Sequence, residues 1–244
     1  MSRYAGLIAL AFLALAALAY ALLKPEGKPT LSPPQKESTA PPPAVTPSPV
    51  KLPRGTGFDY YVLALSWSPT FCSLNTGGGN RDQCGPSKSY GLIVHGLWPQ
   101  FERGYPESCA TDAAQRVPEG VGRPMLDIMP SMGLIGHEWR KHGTCSGLGQ
   151  ADYFAVTRAA YEKVAVPAAL ATARKETRIS PVVLETQFLD ANRGLDPRGI
   201  AVTCEDGKLD EIQICLTKDL EFRTCQDVDR NSCRQQSITI PPRR

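Results

Sequence analysis

Asp59-Tyr60-Tyr61-Val62-Leu63-Ala64-Leu65-Ser66-Trp67-Ser68-Pro69 is dense in aromatic and aliphatic side chains and closed by a proline, so it reads as a buried strand. Outward from it, residues 89–98 read as a second strand, and two more are expected near 200–204 and 209–216. Helical patterning appears at 135–142, from 152 to about 173, and at 180–189, where Ser180 and Pro181 make a fitting helix start. Strands and helices are mixed without a regular βαβ alternation, so the expected class is α+β.

Upstream of the strand the chain changes character. An uncharged, predominantly apolar run covers residues 4–23, between Arg3 and Lys24. Its length nearly meets the roughly twenty residues that span a bilayer, while Ala17-Leu18-Ala19 and Ala19-Tyr20-Ala21 offer small-x-small cleavage sites. Residues 1–24 therefore read equally as an uncleaved membrane anchor, with 4–23 as the tether, or as a cleaved signal peptide. Either places the rest of the chain outside the cytoplasm, in the periplasm or secreted. Residues 25–56 are rich in proline with Ser, Thr and Lys, which reads as a disordered, semi-extended linker. One folded domain is expected over 57–244.

Net charge does not identify a ligand. The chain carries 27 Lys/Arg against 24 Asp/Glu, but residues 1–56 hold six of the former and two of the latter, leaving 21 against 22 in the domain. A nucleic-acid ligand must therefore be argued from local residues. All eight cysteines, Cys72, Cys84, Cys109, Cys145, Cys204, Cys215, Cys225 and Cys233, lie in the domain with no Cys-x-x-Cys pair. An even, scattered set in an exported chain reads as disulfides. The alternative is buried free thiols in a reducing compartment.

Three histidines occur in the whole chain, all within His95-Gly96-Leu97-Trp98-Pro99 and His137-Glu138-Trp139-Arg140-Lys141-His142-Gly143-Thr144-Cys145. On a helix the second segment orders His137, Lys141, Glu138 and His142 around an arc of roughly 140°. Trp139 is left to the core, and Gly143 is expected to end the helix as a C′ glycine. One reading of the arc is a solvated face with i,i+4 ion pairs. A zinc helix fits poorly, because metalloprotease histidines lie four apart on one face whereas His137 and His142 lie five apart, with a lysine adjacent. No Gly-x-Ser-x-Gly elbow supports a serine hydrolase. What fits is general acid/base work by two imidazoles beside cationic groups that hold an anion. RNA supplies its own 2′-hydroxyl nucleophile, so such a site could cleave it without metal or cofactor.

These two histidine segments, following the Leu-x-Leu-x-Trp-x-Pro-x-x-x-Cys pattern of Leu63 to Cys72, resemble the active-site motifs of the ribonuclease T2 family. The absence of an Asn-x-Ser/Thr acceptor favours a bacterial-type member. The resemblance implies an α+β fold with a central, mainly antiparallel sheet packed with helices. It also implies endoribonucleolytic cleavage of single-stranded RNA through a 2′,3′-cyclic phosphate to 3′-phosphate ends, with broad base tolerance; a monomer is expected, and no protein partner is implied. By motif position, His142 would be the general base and His95 the general acid. His137 would hold the phosphate, and Glu138 and Lys141 would stabilise the pentavalent phosphorus. Trp98 would offer a stacking face or simply belong to the core, and Gln100 and Tyr105 lie where relatives contact the base. The implied disulfides are Cys72–Cys84, Cys109–Cys145, Cys204–Cys233 and Cys215–Cys225. A catalytically silent RNA-binding protein of the same fold, and a toxin-like secreted nuclease, are the alternatives the sequence leaves open.

Overall fold

A computed structural model of the chain describes residues 52–76 and 80–243. The segments read as signal or anchor, and all but the last five residues of the expected linker, lie outside the described residues. Those five belong to the folded body: Leu52 packs on the core, and the Thr56 N–H donates to the Ser146 carbonyl at 2.9 Å. Among the described residues no helix is long and apolar enough to cross a membrane.

The strand expected at the head of the domain is β1 (Tyr60–Trp67), and all of its residues are buried. It pairs antiparallel with β2 (Leu92–Gln100) on one side and β5 (Lys208–Leu216) on the other. β4 (Ile200–Glu205) pairs antiparallel with β5, and β3 (Thr177–Ile179) with β6 (Ile238–Ile240). A single parallel bridge, Lys208 to Thr239, joins β5 to β6. The class is therefore α+β with a mainly antiparallel sheet. β3 and β6 are not legible in the sequence, because three residues are too few to show a period-2 pattern.

Alternation along β1 builds two faces. Tyr61, Leu63, Leu65 and Trp67 enter the main core, joined across the sheet by Val94, Leu97, Ile212 and Ile214. Tyr60 and Val62 enter a smaller cluster with Ala201, Cys215, Cys225 and Val228. The main face is covered by three of the four longer helices among the described residues, α1 (Ser68–Leu74), α2 (Met132–Lys141), α3 (Gln150–Lys163) and α4 (Pro181–Ala191): α2, α3 and α4 contribute Ile135 and Trp139, Tyr153 and Phe154, and Leu184 and Phe188.

Prolines account for two departures from expectation. Pro69 does not close the strand but sits in the first turn of α1, where its missing N–H costs nothing. The helix expected from 152 to about 173 stops at Lys163; Pro167 interrupts it, and a separate single turn, Ala168–Ala171, follows.

The eight cysteines form four disulfides, Cys72–Cys84, Cys109–Cys145, Cys204–Cys233 and Cys215–Cys225. Cys204–Cys233 and Cys215–Cys225 fasten the C-terminal segment to neighbouring strands β4 and β5.

Candidate active site

β2 brings His95 to the site through an irregularity. Ala64 opposes Gly96 and Leu65 opposes Val94, so His95 is the additional residue of a β-bulge. Bulges re-aim a side chain beside functional sites. Here His95 escapes the regular alternation and lies half exposed at the cleft, while Val94 and Leu97 remain in the core. Trp98 and Gln100 follow on the cleft side of the same strand.

α2 supplies the facing wall. Ser131 caps it by accepting the Leu134 N–H at 3.1 Å. Trp139 is fully buried, and its indole N–H donates to the Ala114 carbonyl at 2.9 Å, which fixes the rotation of the helix. His137 and Lys141 then lie at the cleft, Glu138 is buried beneath it, and His142 takes the C-cap position. The Cys109–Cys145 disulfide and a 2.7 Å hydrogen bond from the Ser108 N–H to the Lys141 carbonyl hold this end of the helix.

Gly143 does not act as a left-handed helix terminator, since its φ is not positive; it opens a 3₁₀ turn, Gly143–Cys145. Its hydrogen side chain is required by packing, because a Cβ there would lie 2.4 Å from Trp139 Cε3 and 3.0 Å from the Tyr153 ring.

The Glu138 carboxylate is the hub. Its Oε1 lies 3.7 Å from His95 Nε2 and 4.0 Å from His137 Nε2, and its Oε2 lies 4.0 Å from His142 Nε2. Trp98 donates its indole N–H to Oε2 at 3.0 Å. The Trp98 ring lies between two imidazoles, edge-on to His95 at 5.4 Å and tilted against His142 at 5.3 Å. Gly96 makes the approach possible, since a Cβ there would sit 2.0 Å from Glu138 Oε2 and 2.4 Å from Trp98 Nε1.

These groups line a cleft of about 290 Å³ together with Gln100, Tyr105, Gln213, Val62, Val228 and Asn231. Every candidate catalytic and substrate-binding residue named from the sequence therefore borders one cavity. Tyr105 is more than half exposed, after the Phe101–Gly104 turn that follows β2. A second depression of about 700 Å³ lies on the other side of His95 and His137, lined by Phe71, Leu134, Asp210 and Glu211 among others.

Environment separates the titrations of the four central groups. Burial, then the charges of Lys141, His95 and His137, push the His142 imidazole down to about 3, and its Nδ1 is buried without a hydrogen-bond partner among the described residues. Burial pushes the Glu138 carboxyl up to about 7, against the lowering effects of His95, the Trp98 hydrogen bond and Lys141. His137 is lowered by burial and by Lys141 and Arg140. His95 goes the other way: burial disfavours its charged form, but the hydrogen bond and charge of Glu211, aided by Glu138 and Asp210, outweigh it and raise the ring above its ordinary value. The two shifts run in opposite directions, His142 toward the neutral form and His95 toward the charged one.

Glu211 is a site residue that the sequence does not betray. Its only local signal is the alternation of Glu211 and Gln213 with Ile212 and Ile214 of β5, which looks like an ordinary solvent-facing side of a strand.

Comparison with known proteins identifies the family. The model of the Ribonuclease T2 family matches residues 58–225. A ribonuclease of Aeromonas hydrophila is 35% identical over 173 residues, covering 70% of this chain and 77% of its own. Ribonuclease DdI of Dictyostelium discoideum is 27% identical over 200 residues, covering 75% and 85%. Among solved structures, an RNase-related protein from Calystegia sepium superposes with a TM-score of 0.63 at 23% identity, covering 78% of this chain and all of its own. RNase NT in complex with 5′-AMP gives 0.55 at 22%, covering 77% of this chain and all of its own, so the likeness to both extends to the whole fold. With the family model matched over both histidine segments and strands β1 to β5, the chain belongs to the ribonuclease T2 family.

Proposed function

We propose that this T2-type endoribonuclease cleaves single-stranded RNA by metal-independent transesterification, giving a 2′,3′-cyclic phosphate that is then hydrolysed to a 3′-phosphate end, with broad base tolerance. The observation that carries the reading is the set of three imidazoles, each with Nε2 3.7 to 4.0 Å from the buried Glu138 carboxylate, in one open cleft. His142, held neutral, takes the proton of the 2′-hydroxyl as the 2′-oxygen attacks phosphorus. His95, whose charged form Glu211 favours, gives a proton to the departing 5′-oxygen as the P–O5′ bond breaks. His137 and Lys141, both at the cleft, bind the phosphate and offset the charge that develops on its oxygens. Glu138 stabilises the imidazolium that His142 becomes. Trp98 is held by its bond to Glu138 and organises both catalytic rings, while Tyr105 and Gln100 line the part of the cleft where a base would stack or bond.

The substrate is single-stranded RNA, the protein acts as a monomer, and residues 1–24 carry it out of the cytoplasm as signal or anchor ahead of the linker. The four disulfides accord with an oxidising compartment.

The pH dependence tests the pair. A base works deprotonated, so lowering His142 moves the acid limb of kcat/KM down; an acid works protonated, so raising His95 moves the alkaline limb up. The expected profile is a bell whose limbs fall on either side of the ordinary histidine value of about 6.5. A kcat/KM that keeps rising well beyond the histidine range contradicts the assignment.

A further inference from the structure

His95 is held by a residue that neither histidine motif contains. Glu211, on the central strand β5, places Oε1 2.5 Å from His95 Nδ1. Its other oxygen accepts the Gln213 side-chain N–H at 3.0 Å, and its backbone N–H donates to Thr203 Oγ1 at 3.0 Å. Both carboxylate oxygens are thereby committed, and the group is about one-tenth exposed. A carboxylate can only accept, so the proton of this short contact sits on Nδ1 of the imidazole. The neutral ring is then the Nδ1–H tautomer, and any second proton is carried on Nε2, the nitrogen that faces Glu138 and the cleft.

We infer that Glu211 is a positioning residue for the transesterification: by accepting Nδ1–H it fixes the ring and tautomer of His95, so that Nε2–H is the proton delivered to the departing 5′-oxygen. The inference rests on the proposed acid role of His95. In the step, the 2′-oxygen bonds to phosphorus and its proton passes to His142, the P–O5′ bond breaks, and the Nε2 proton of His95 passes to O5′. His95 ends neutral with Nδ1–H still donated to Glu211. Glu211 touches neither substrate nor reacting atoms and acts only through His95.

The arrangement explains why an additional residue is placed in β2. Regular pairing would alternate position 95 away from one of its neighbours, whereas the bulge sets the ring between Glu211 on β5 and Glu138 on α2. Other charged groups around the ring are Asp210 beside Glu211 and His137 and Lys141 across the cleft, with His142 behind Trp98.

The test compares full-length wild type with Glu211→Gln, which keeps size and one acceptor oxygen, on two substrates sharing the same 3′-nucleotide. One is a dinucleoside monophosphate, whose alkoxide leaving group needs a proton. The other is a p-nitrophenyl ester, whose phenolate does not. Glu211→Gln is expected to lower kcat on the dinucleotide by about 10²-fold with KM nearly unchanged, and on the aryl ester by less than about fivefold. The alkaline limb of kcat/KM should also move to lower pH. Glu211→Asp, which keeps the charge with a shorter reach, should fall between. Nitrogen NMR of the His95 ring gives a readout independent of activity: wild type should show the Nδ1–H tautomer when neutral and a higher pKa than Glu211→Gln. Equal losses on the two substrates, or an unchanged limb and an unchanged His95 titration, would overturn the inference. A wild type that forms no cyclic phosphate sinks the reaction instead, and the NMR arm still decides whether Glu211 sets His95.

Discussion

Replacement of His142 by alanine should lower kcat for RNA cleavage by about 10³- to 10⁴-fold, and His95→Ala should do the same, while the double variant is scarcely worse than either single one. The expectation follows from what each ring does that water cannot. His142 is 6% exposed, pressed against Trp98, and kept neutral down to about pH 3 by burial and by the positive charges of Lys141, His95 and His137. It therefore stays an unprotonated imidazole over the working range, largely buried and 4.0 Å from the carboxylate that, in the proposed mechanism, stabilises it once charged. A water in the vacated space has neither property. In the proposed mechanism acid and base act in one concerted step, so losing either should remove most of what both contribute. Single-turnover rates on a defined oligoribonucleotide, alongside denaturant melts that show both variants folded, make the check; a loss of under tenfold in a folded His142→Ala protein contradicts its role as base.

Gly96→Ala should be nearly as severe, although it removes no functional group. The new methyl would start 2.0 Å from Glu138 Oε2 and 2.4 Å from Trp98 Nε1, distances that no real contact tolerates. The Glu138 carboxylate must then move, and with it the common partner of all three imidazoles; displacements of about 1 Å in such sites cost on the order of 10² in rate. Overpacking of this kind also destabilises by about 1 to 3 kcal/mol. Gly120→Ala is the control, for nothing lies within 4 Å of its Cβ position and its φ is ordinary. A Gly96→Ala protein that keeps wild-type kcat while Gly120→Ala does too would mean the hub is not needed.

Much of this site is legible in the order of the residues alone. The helix carrying His137 to His142 shows itself by rotation, because its apolar positions Ile135 and Trp139 are four apart and are both fully buried. β1 is legible for a similar reason, since a run of large side chains on both faces has no stable place except between two packed layers. Features that depend on tertiary partners are not legible in this way. The bulge at His95 exists only in the register between β1 and β2, and sequence periodicity places His95 and Gly96 on opposite faces. Gly143 looks like a helix terminator until the Trp139 and Tyr153 rings that crowd it are known. Glu138 reads as part of an exposed polar arc, yet it is 1% exposed, because Trp98 from a strand forty residues earlier closes over it. Glu211 lies 116 residues from the histidine it holds, with nothing local to betray the pairing.

The most direct test of the central claim is the chemistry of the product ends. Purified full-length protein, with His142→Ala as control, is incubated with labelled single-stranded RNA in excess EDTA, and the termini are resolved over time. Wild type should cut undiminished by the chelator, with 2′,3′-cyclic phosphate ends appearing first and 3′-phosphate ends replacing them, and the variant should leave the RNA intact. Cleavage abolished by EDTA, or ends that never pass through the cyclic phosphate, would contradict a metal-free acid/base mechanism in this cleft.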